Sequence, residues 1–162
     1  MPLDADTFRT VMSKFATGVT IVTARAGEEI HGLTVNAFCS VSLEPMLVLI
    51  CVDQQAKGHD LLLKSNNFAV NFLGADQEQL ARRFSADQLS AAERFRDLKF
   101  RSQVTGAPLL GNSLAFLDCE IVAIYPGGDH TIFLGKVLAL EEKDGHHPLL
   151  FFEGEYFHHL QK

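Results

Sequence analysis

Residues 113–125 and 131–140 are two long aliphatic and β-branched runs, separated only by Pro126-Gly127-Gly128-Asp129 and His130. Adjacent glycines tolerate the positive φ of tight reversals, so this spacing predicts one long antiparallel hairpin. The rest of the chain supplies further strands. Residues 19–24 (VTIVTA) are β-branched, Gly27-Glu28-Glu29 reads as a turn, and a second strand is expected over 30–41. Glu44-Pro45 ends it, because proline donates no amide and pushes the preceding residue to extended or turn geometry. Residues 46–52 (MLVLICV) are a continuous apolar run of strand length, which predicts burial on both faces. Residues 68–73 and 149–152, the latter after an Asp144-Gly145 turn, complete the strand candidates.

Helical signals are short. In DADTFRTVMSKFATG, Phe8, Val11, Met12 and Phe15 recur at helical spacing, with Asp4 or Asp6 to cap the start and Gly18 to stop it. A short helix is expected over 57–66. Asp76 and Gln79 suggest a capping box that opens another, with Leu80 and Phe84 on one face. Residues 85–108 read as a polar loop with one short helix near Glu93. Six or seven strands in hairpin order, without regular alternation of strands and helices, disfavour a Rossmann sheet. The expected class is mainly β with short helices, an antiparallel barrel or sandwich; periodicity does not separate the two.

At 162 residues with 13 Phe and no Trp, the chain fits one domain over 1–162, whose large core sites Phe and Leu must fill. Its first residues carry two acids and no apolar segment, unlike a secretory signal, and no apolar run approaches the roughly 20 residues of a membrane span. Cys39, Cys51 and Cys119 are odd in number and widely spaced, which argues against a disulfide framework and for a cytoplasmic, reducing location. A net charge of −6 opposes binding to nucleic acid.

Several familiar motifs fail on inspection. GAPLLGNS (residues 106–113) has the glycine spacing of a P-loop, but Asn112 replaces the lysine and Pro108 removes an amide. No GxGxxG, GxSxG or HExxH is present. His146-His147 and His158-His159 are adjacent pairs whose rings point apart in a strand, so metal binding is not expected. GLTVNAFCSVSLEP (residues 32–45) stands out, because Thr34, Asn36, Ser40 and Ser42 share one face of an extended strand. Two readings stay open on this spacing: a solvated face, or a row of neutral donors for a heteroaromatic ring and a phosphate. Lys57 and one of Arg82 or Arg83 are the nearby cations, since consecutive helical residues diverge. His130, just past the glycine turn, is either merely exposed or an orienting group at a cofactor edge.

Taken in order, FATGVTIVTA, GLTVNAFCSVSLEPMLVLICVD, FAVNFL, ARRF, GDHTIFLGKV and PLLFFEGEYF resemble the short-chain flavin reductases, the reductase components of two-component flavin-dependent monooxygenases. The resemblance spans residues 8–157 and implies an antiparallel split β-barrel of the FMN-binding type, paired as a homodimer. It implies a flavin, FMN or FAD, reduced by NADH or NADPH and handed to an oxygenase component. A carrier or electron-transfer protein of the same fold is the alternative. By motif, Thr34, Val35, Asn36 and Ala37 would border the flavin ring, with Ser40 toward the phosphate. Cys51, Val52 and Asp53 would continue that wall, and Lys57 would stand at the phosphate or ribityl end. Arg83 and Phe84 match the phosphate-side Arg-Phe pair, and His130 and Tyr156 match positions near the nicotinamide. Ala16-Thr17-Gly18 stands where many relatives carry a proline. Hydride transfer needs two stacked rings about 3–3.5 Å apart and no strong acid or base, in keeping with the lack of a recognisable triad.

Overall fold

The computed structural model describes residues 1, 3–144 and 147–159. Helix α1 (Ala5–Met12) is capped by the Asp4 carboxylate, which accepts the Thr7 amide at 2.8 Å. It stops well short of Gly18, at Ser13, whose amide already closes on the Arg9 carbonyl. The strands follow: β1 (Thr17–Gly18), β2 (Thr20–Ala26), β3 (Glu29–Val35), β4 (Phe38–Leu43) and β5 (Met46–Asp53). Helix α2 (His59–Lys64) leads to β6 (Asn67–Phe72), and a 3-10 turn (Ala75–Gln77) opens α3 (Glu78–Ser85). The box at this helix start is not the expected Asp76 and Gln79; Gln77 reaches back to accept the Gly74 amide at 2.9 Å. Helix α4 (Ala91–Phe95) does carry a capping box, between Ser90 and Glu93. The remainder is β7 (Phe100–Arg101), β8 (Leu109–Leu110), β9 (Ala115–Gly127), β10 (His130–Glu142), β11 (Leu150–Phe152) and β12 (Glu155–Phe157).

Seven strands form the main sheet in the order β3-β2-β6-β9-β10-β5-β4, and its pairings are antiparallel. The β9–β10 hairpin is its spine, 13 residues on each arm. The strand expected over 30–41 is two strands: β3 and β4 occupy opposite edges of the sheet, joined only by Asn36-Ala37. Two linking residues span less than about 11 Å, so the sheet must curl until its edges approach. That curl is why one continuous run of sequence cannot stay one strand. The 46–52 run also differs from expectation, because β5 alternates between buried and half-buried residues. One of its faces lies inside the curled sheet and the other lies outside. A short hairpin, β11–β12, follows instead of a single last strand, and β1 pairs with it.

Val22, Ile50, Phe68 and Phe133 fill the interior of the curl. A second cluster, with Ile21, Phe84, Phe95 and Leu149, sits where α3 and α4 cover the sheet. Close approach at Gly32 makes that covering possible: a Cβ there would lie 2.5 Å from Phe84 Cε1. No helix among the described residues is long and apolar enough to cross a membrane.

Candidate functional site

The Asn36-Ala37 break organises the site. Across the β5–β10 ladder His130 stands opposite Asp53, and Thr131 opposite Val52. One strand over, the Cys51 amide donates to the Ala37 carbonyl at 3.0 Å. Asn36 donates from Nδ2 to Thr17 Oγ1 at 3.3 Å. Thr17 pairs with Phe151, and Phe151 with Tyr156. The Tyr156 ring lies 4.8 Å from the Arg82 guanidinium. His130, Asp53, Cys51, Ala37, Asn36 and Tyr156 therefore follow one another along a continuous rim, although they come from four separate stretches of chain.

A cavity of about 350 Å³ opens on this rim among Phe15, Thr17, Gly18, Asn36, Phe38 and Phe72. Phe38 and Phe72 wall it with an edge-to-face pair, centroids 5.3 Å apart. A Cβ built on Gly18 would meet nothing within 4 Å, so a flat ring can approach this backbone. The His130 imidazole is 41% exposed and its Nδ1 lies 2.7 Å from Asp129 Oδ1. That hydrogen bond holds the Asp129 carboxyl below its ordinary pKa. Gln54 braces the turn, its amide donating to the Asp129 carbonyl at 3.0 Å and its Nε2 to the Gly128 carbonyl at 3.3 Å.

Some expected residues stand elsewhere. The Val35, Val52 and Phe84 side chains are 6%, 2% and 0% exposed, which closes them to any ligand. Strand alternation turns the two valines inward, and Phe84 packs edge-on against Phe95 over Gly32. Only their backbones remain available. The Thr34 hydroxyl donates to the Ala81 carbonyl at 2.6 Å, tying β3 to α3 instead of joining a row with Asn36. A bulge between Ser40 and Ser42 breaks their common face, leaving Ser40 exposed and Ser42 half-buried. The four-member polar row therefore does not form.

Arg82 and Arg83 diverge. Arg82 pairs with Glu78 at 2.7 Å and covers Tyr156, whereas Arg83 donates to the Arg96 carbonyl at 3.2 Å. Arg83 borders a polar cavity of about 240 Å³ with Glu93 and Arg96. Hydrogen bonds from Ser90, with the nearby Arg96 and Lys57 charges, hold the Glu93 carboxyl below its usual range. Arg83 and Arg96 thus share one cavity with the Glu93 carboxylate.

Sequence reading missed Gln54, Phe38, Phe72 and the Glu78–His158 pair, whose Nε2 to Oε2 distance is 2.6 Å. Of these only Glu78 carried a local signal, a base four residues later on the same helix. Among the described residues no three His, Cys, Asp or Glu side chains are grouped as a metal requires. Of the four C-terminal histidines, His146 lies outside the described residues.

A family model for the flavin reductase like domain matches residues 12–159. An NADH-dependent FAD reductase of Streptomyces globisporus is 41% identical over 157 residues, 96% of this chain and 86% of that protein. The reductase component of a 4-nitrophenol 4-monooxygenase/4-nitrocatechol 2-monooxygenase from Rhodococcus opacus is 36% identical over 157 residues, 97% and 82% respectively. Among solved structures, an NADH:FAD oxidoreductase of Streptomyces globisporus in complex with NAD and FAD fragments superposes with a TM-score of 0.89 at 40% identity, covering 97% of this chain and 93% of that one. With its long hairpin, its rim and a match over nearly its whole length, the chain belongs to the family of the flavin reductase like domain.

Proposed function

We propose that this protein is an NADH-dependent flavin reductase, one domain over residues 1–162, that reduces FMN or FAD and passes reduced flavin to a monooxygenase component. The observation that carries the reading is the rim of His130, Asp53, Cys51, Ala37, Asn36 and Tyr156, which meets an open cavity of about 350 Å³ at Asn36. That volume falls within the roughly 300–1,000 Å³ range of cofactor pockets. Relatives named for NADH support it as donor over NADPH.

When bound, flavin and nicotinamide supply the redox chemistry, a hydride passing from one ring to the other. The chain's own task is to hold both and keep water out. The Asn36-Ala37 backbone, free of regular strand pairing, and the Cys51 to Asp53 edge suit the polar edge of a flat ring. Oriented backbone groups there need no reorganisation as charge builds up. Lys57 and Arg83, with Ser40, are assigned to the phosphate end, and Thr34 to fixing the β3 edge. Backbone atoms of Val35, Val52 and Phe84 would contribute in place of their buried side chains. His130 and Tyr156 would steer the nicotinamide.

The curled sheet supports a split barrel, and exposed apolar residues support a homodimer. Phe8, Val11 and Phe15 on and after α1 are 62%, 54% and 71% exposed, and Val122, Ile124 and Leu140 stand outward on β9 and β10. Apolar surface on that scale marks an interface. Three unpaired cysteines support a cytoplasmic setting. The deciding experiment mixes purified protein and NADH with FMN or FAD and follows loss of the reduced nicotinamide absorbance. Turnover with either flavin supports the assignment. Flavin that binds but stays oxidised under anaerobic NADH would instead make the protein a carrier.

A further inference from the structure

We propose that a cavity beneath Arg101 is a second small-molecule site, one that takes a single-ring carboxylate of the benzoate class. It lies between the β7–β8 pair and the far ends of β9 and β10, bordered by Lys99, Arg101, Leu110, Ser113, Phe116 and Lys143. β10 runs 13 residues from His130 to this end, roughly 40 Å of extended strand, so the cavity is far from the histidine end of the rim; its Ala115 pairs with Phe72, which lines the cavity assigned to flavin on the other side. Neither assignment rests on the other.

Charge selects the ligand. Three cations border the cavity in a chain whose net charge is −6, and the one acid there, Glu141, is already paired with Arg101 at 2.5 Å. Among the described residues, neither Lys99 nor Lys143 is ion-paired. A second observation is independent of charge. Ser113 is 4% exposed, and its Oγ has no hydrogen-bond partner among the described residues. A buried hydroxyl without a partner is unfavourable, and a carboxylate oxygen would relieve it.

Shape selects the rest. Leu110 and Phe116, each 6% exposed, offer an apolar floor, and the Arg101 guanidinium lies 5.2 Å from the centre of the Phe116 ring. At about 250 Å³ the space is smaller than the roughly 300 Å³ lower bound for drug-sized ligands, which limits the occupant to one ring. The ring would lie on Phe116 and Leu110, its carboxylate toward Ser113 and the lysines.

Sodium benzoate titrated into the full chain, followed by NMR chemical shifts, tests this. We expect saturable binding that is unchanged by saturating FAD and at least tenfold weaker for neutral benzamide. Lys143→Ala and Ser113→Ala should each weaken benzoate by at least fivefold. Because the serine hydroxyl has no partner to lose, Ser113→Ala should leave the melting temperature of the free protein unlowered, so its weaker binding reports a ligand contact. Binding abolished by FAD, equal for benzamide, unaltered in both variants, or absent altogether overturns the proposal.

Discussion

His130 faces Asp53 directly across the β5–β10 ladder, so the residue after the hairpin turn meets the last residue of an inner strand. This pairing is what brings a titratable ring to the rim. We expect His130→Ala to slow anaerobic flavin reduction by NADH, or raise the KM for NADH, by about tenfold, the scale of one lost neutral hydrogen bond and its packing. Flavin affinity should change less than about twofold. Stopped-flow spectra at several NADH concentrations read both, and an unchanged rate and KM would remove the histidine from the site.

The two arginines of α3 should separate experimentally. Arg83→Ala should weaken flavin binding by roughly tenfold or more, as loss of a charge-assisted contact does. Arg82→Ala uncovers Tyr156 and leaves Glu78 to His158 alone, and should act mainly on KM for NADH. Fluorescence quenching of added flavin, set beside steady-state kinetics, distinguishes them. Equal effects on both quantities would contradict the divergent placement.

Gly32→Ala should destabilise the fold. Its Cβ would sit 2.5 Å from Phe84 Cε1 and 3.3 Å from Phe95 Cζ, in a cluster with no room to give. Overpacking of this kind costs about 1–3 kcal/mol, or about 2–4 °C in Tm per kcal/mol for a chain of this size. Adding Phe84→Leu should recover part of that loss, since the two sites are in contact. Additive losses in the double variant would place the clash elsewhere.

Acid should destabilise the protein through His31. Its ring packs against Gly58, its Nδ1 has no partner among the described residues, and burial with the Arg94 charge pushes its pKa down to about 4. The unfolded chain takes up this proton near pH 6.5, so stability is lost as pH falls from about 6.5 to about 4, by at most about 1.4 kcal/mol per pH unit. Above that window both states are neutral and the contribution to the slope vanishes. Urea midpoints against pH should run flatter for His31→Gln than for the parent protein; parallel curves would assign the acid sensitivity to other groups.

Thiol labelling should report the rim. Cys39 is exposed, Cys51 half-buried and Cys119 buried, with burial pushing the Cys119 thiol up to about 12. Iodoacetamide should modify Cys39 first and Cys119 only on unfolding. Added FAD should slow labelling at Cys51 severalfold. Mass spectrometry of timed samples resolves the three sites, and indifference of Cys51 to flavin would count against the proposed wall.

The hairpin of β9 and β10 could be read from sequence because its information is local: alternation, two glycines and a proline. Helix α1 was legible at its start, where Asp4 caps an amide three residues on, but not at its end, where it stops at Ser13 and leaves Phe15 71% exposed. The proposed polar row on residues 34–42 failed for a non-local reason. Period-2 reasoning assumes an unbroken strand, and the curl of the sheet breaks it at Asn36-Ala37 while a bulge breaks it again after Ser40. Gln54, Phe38 and Phe72 gave no signal, since their roles depend on partners far along the chain.

By itself the sequence determined most of the extended segments, the turn of the long hairpin, and that the ordered set of motifs resembles a flavin reductase. Those properties follow from φ/ψ preferences and from side-chain alternation, which act over a few residues. Only the tertiary structure decided which side of each strand is closed, which of two neighbouring arginines reaches Tyr156, and that four distant segments meet on one rim. The physical reason is that inside and outside are set by pairings between strands far apart in sequence, such as β2 with β6 and β5 with β10, which no short window contains.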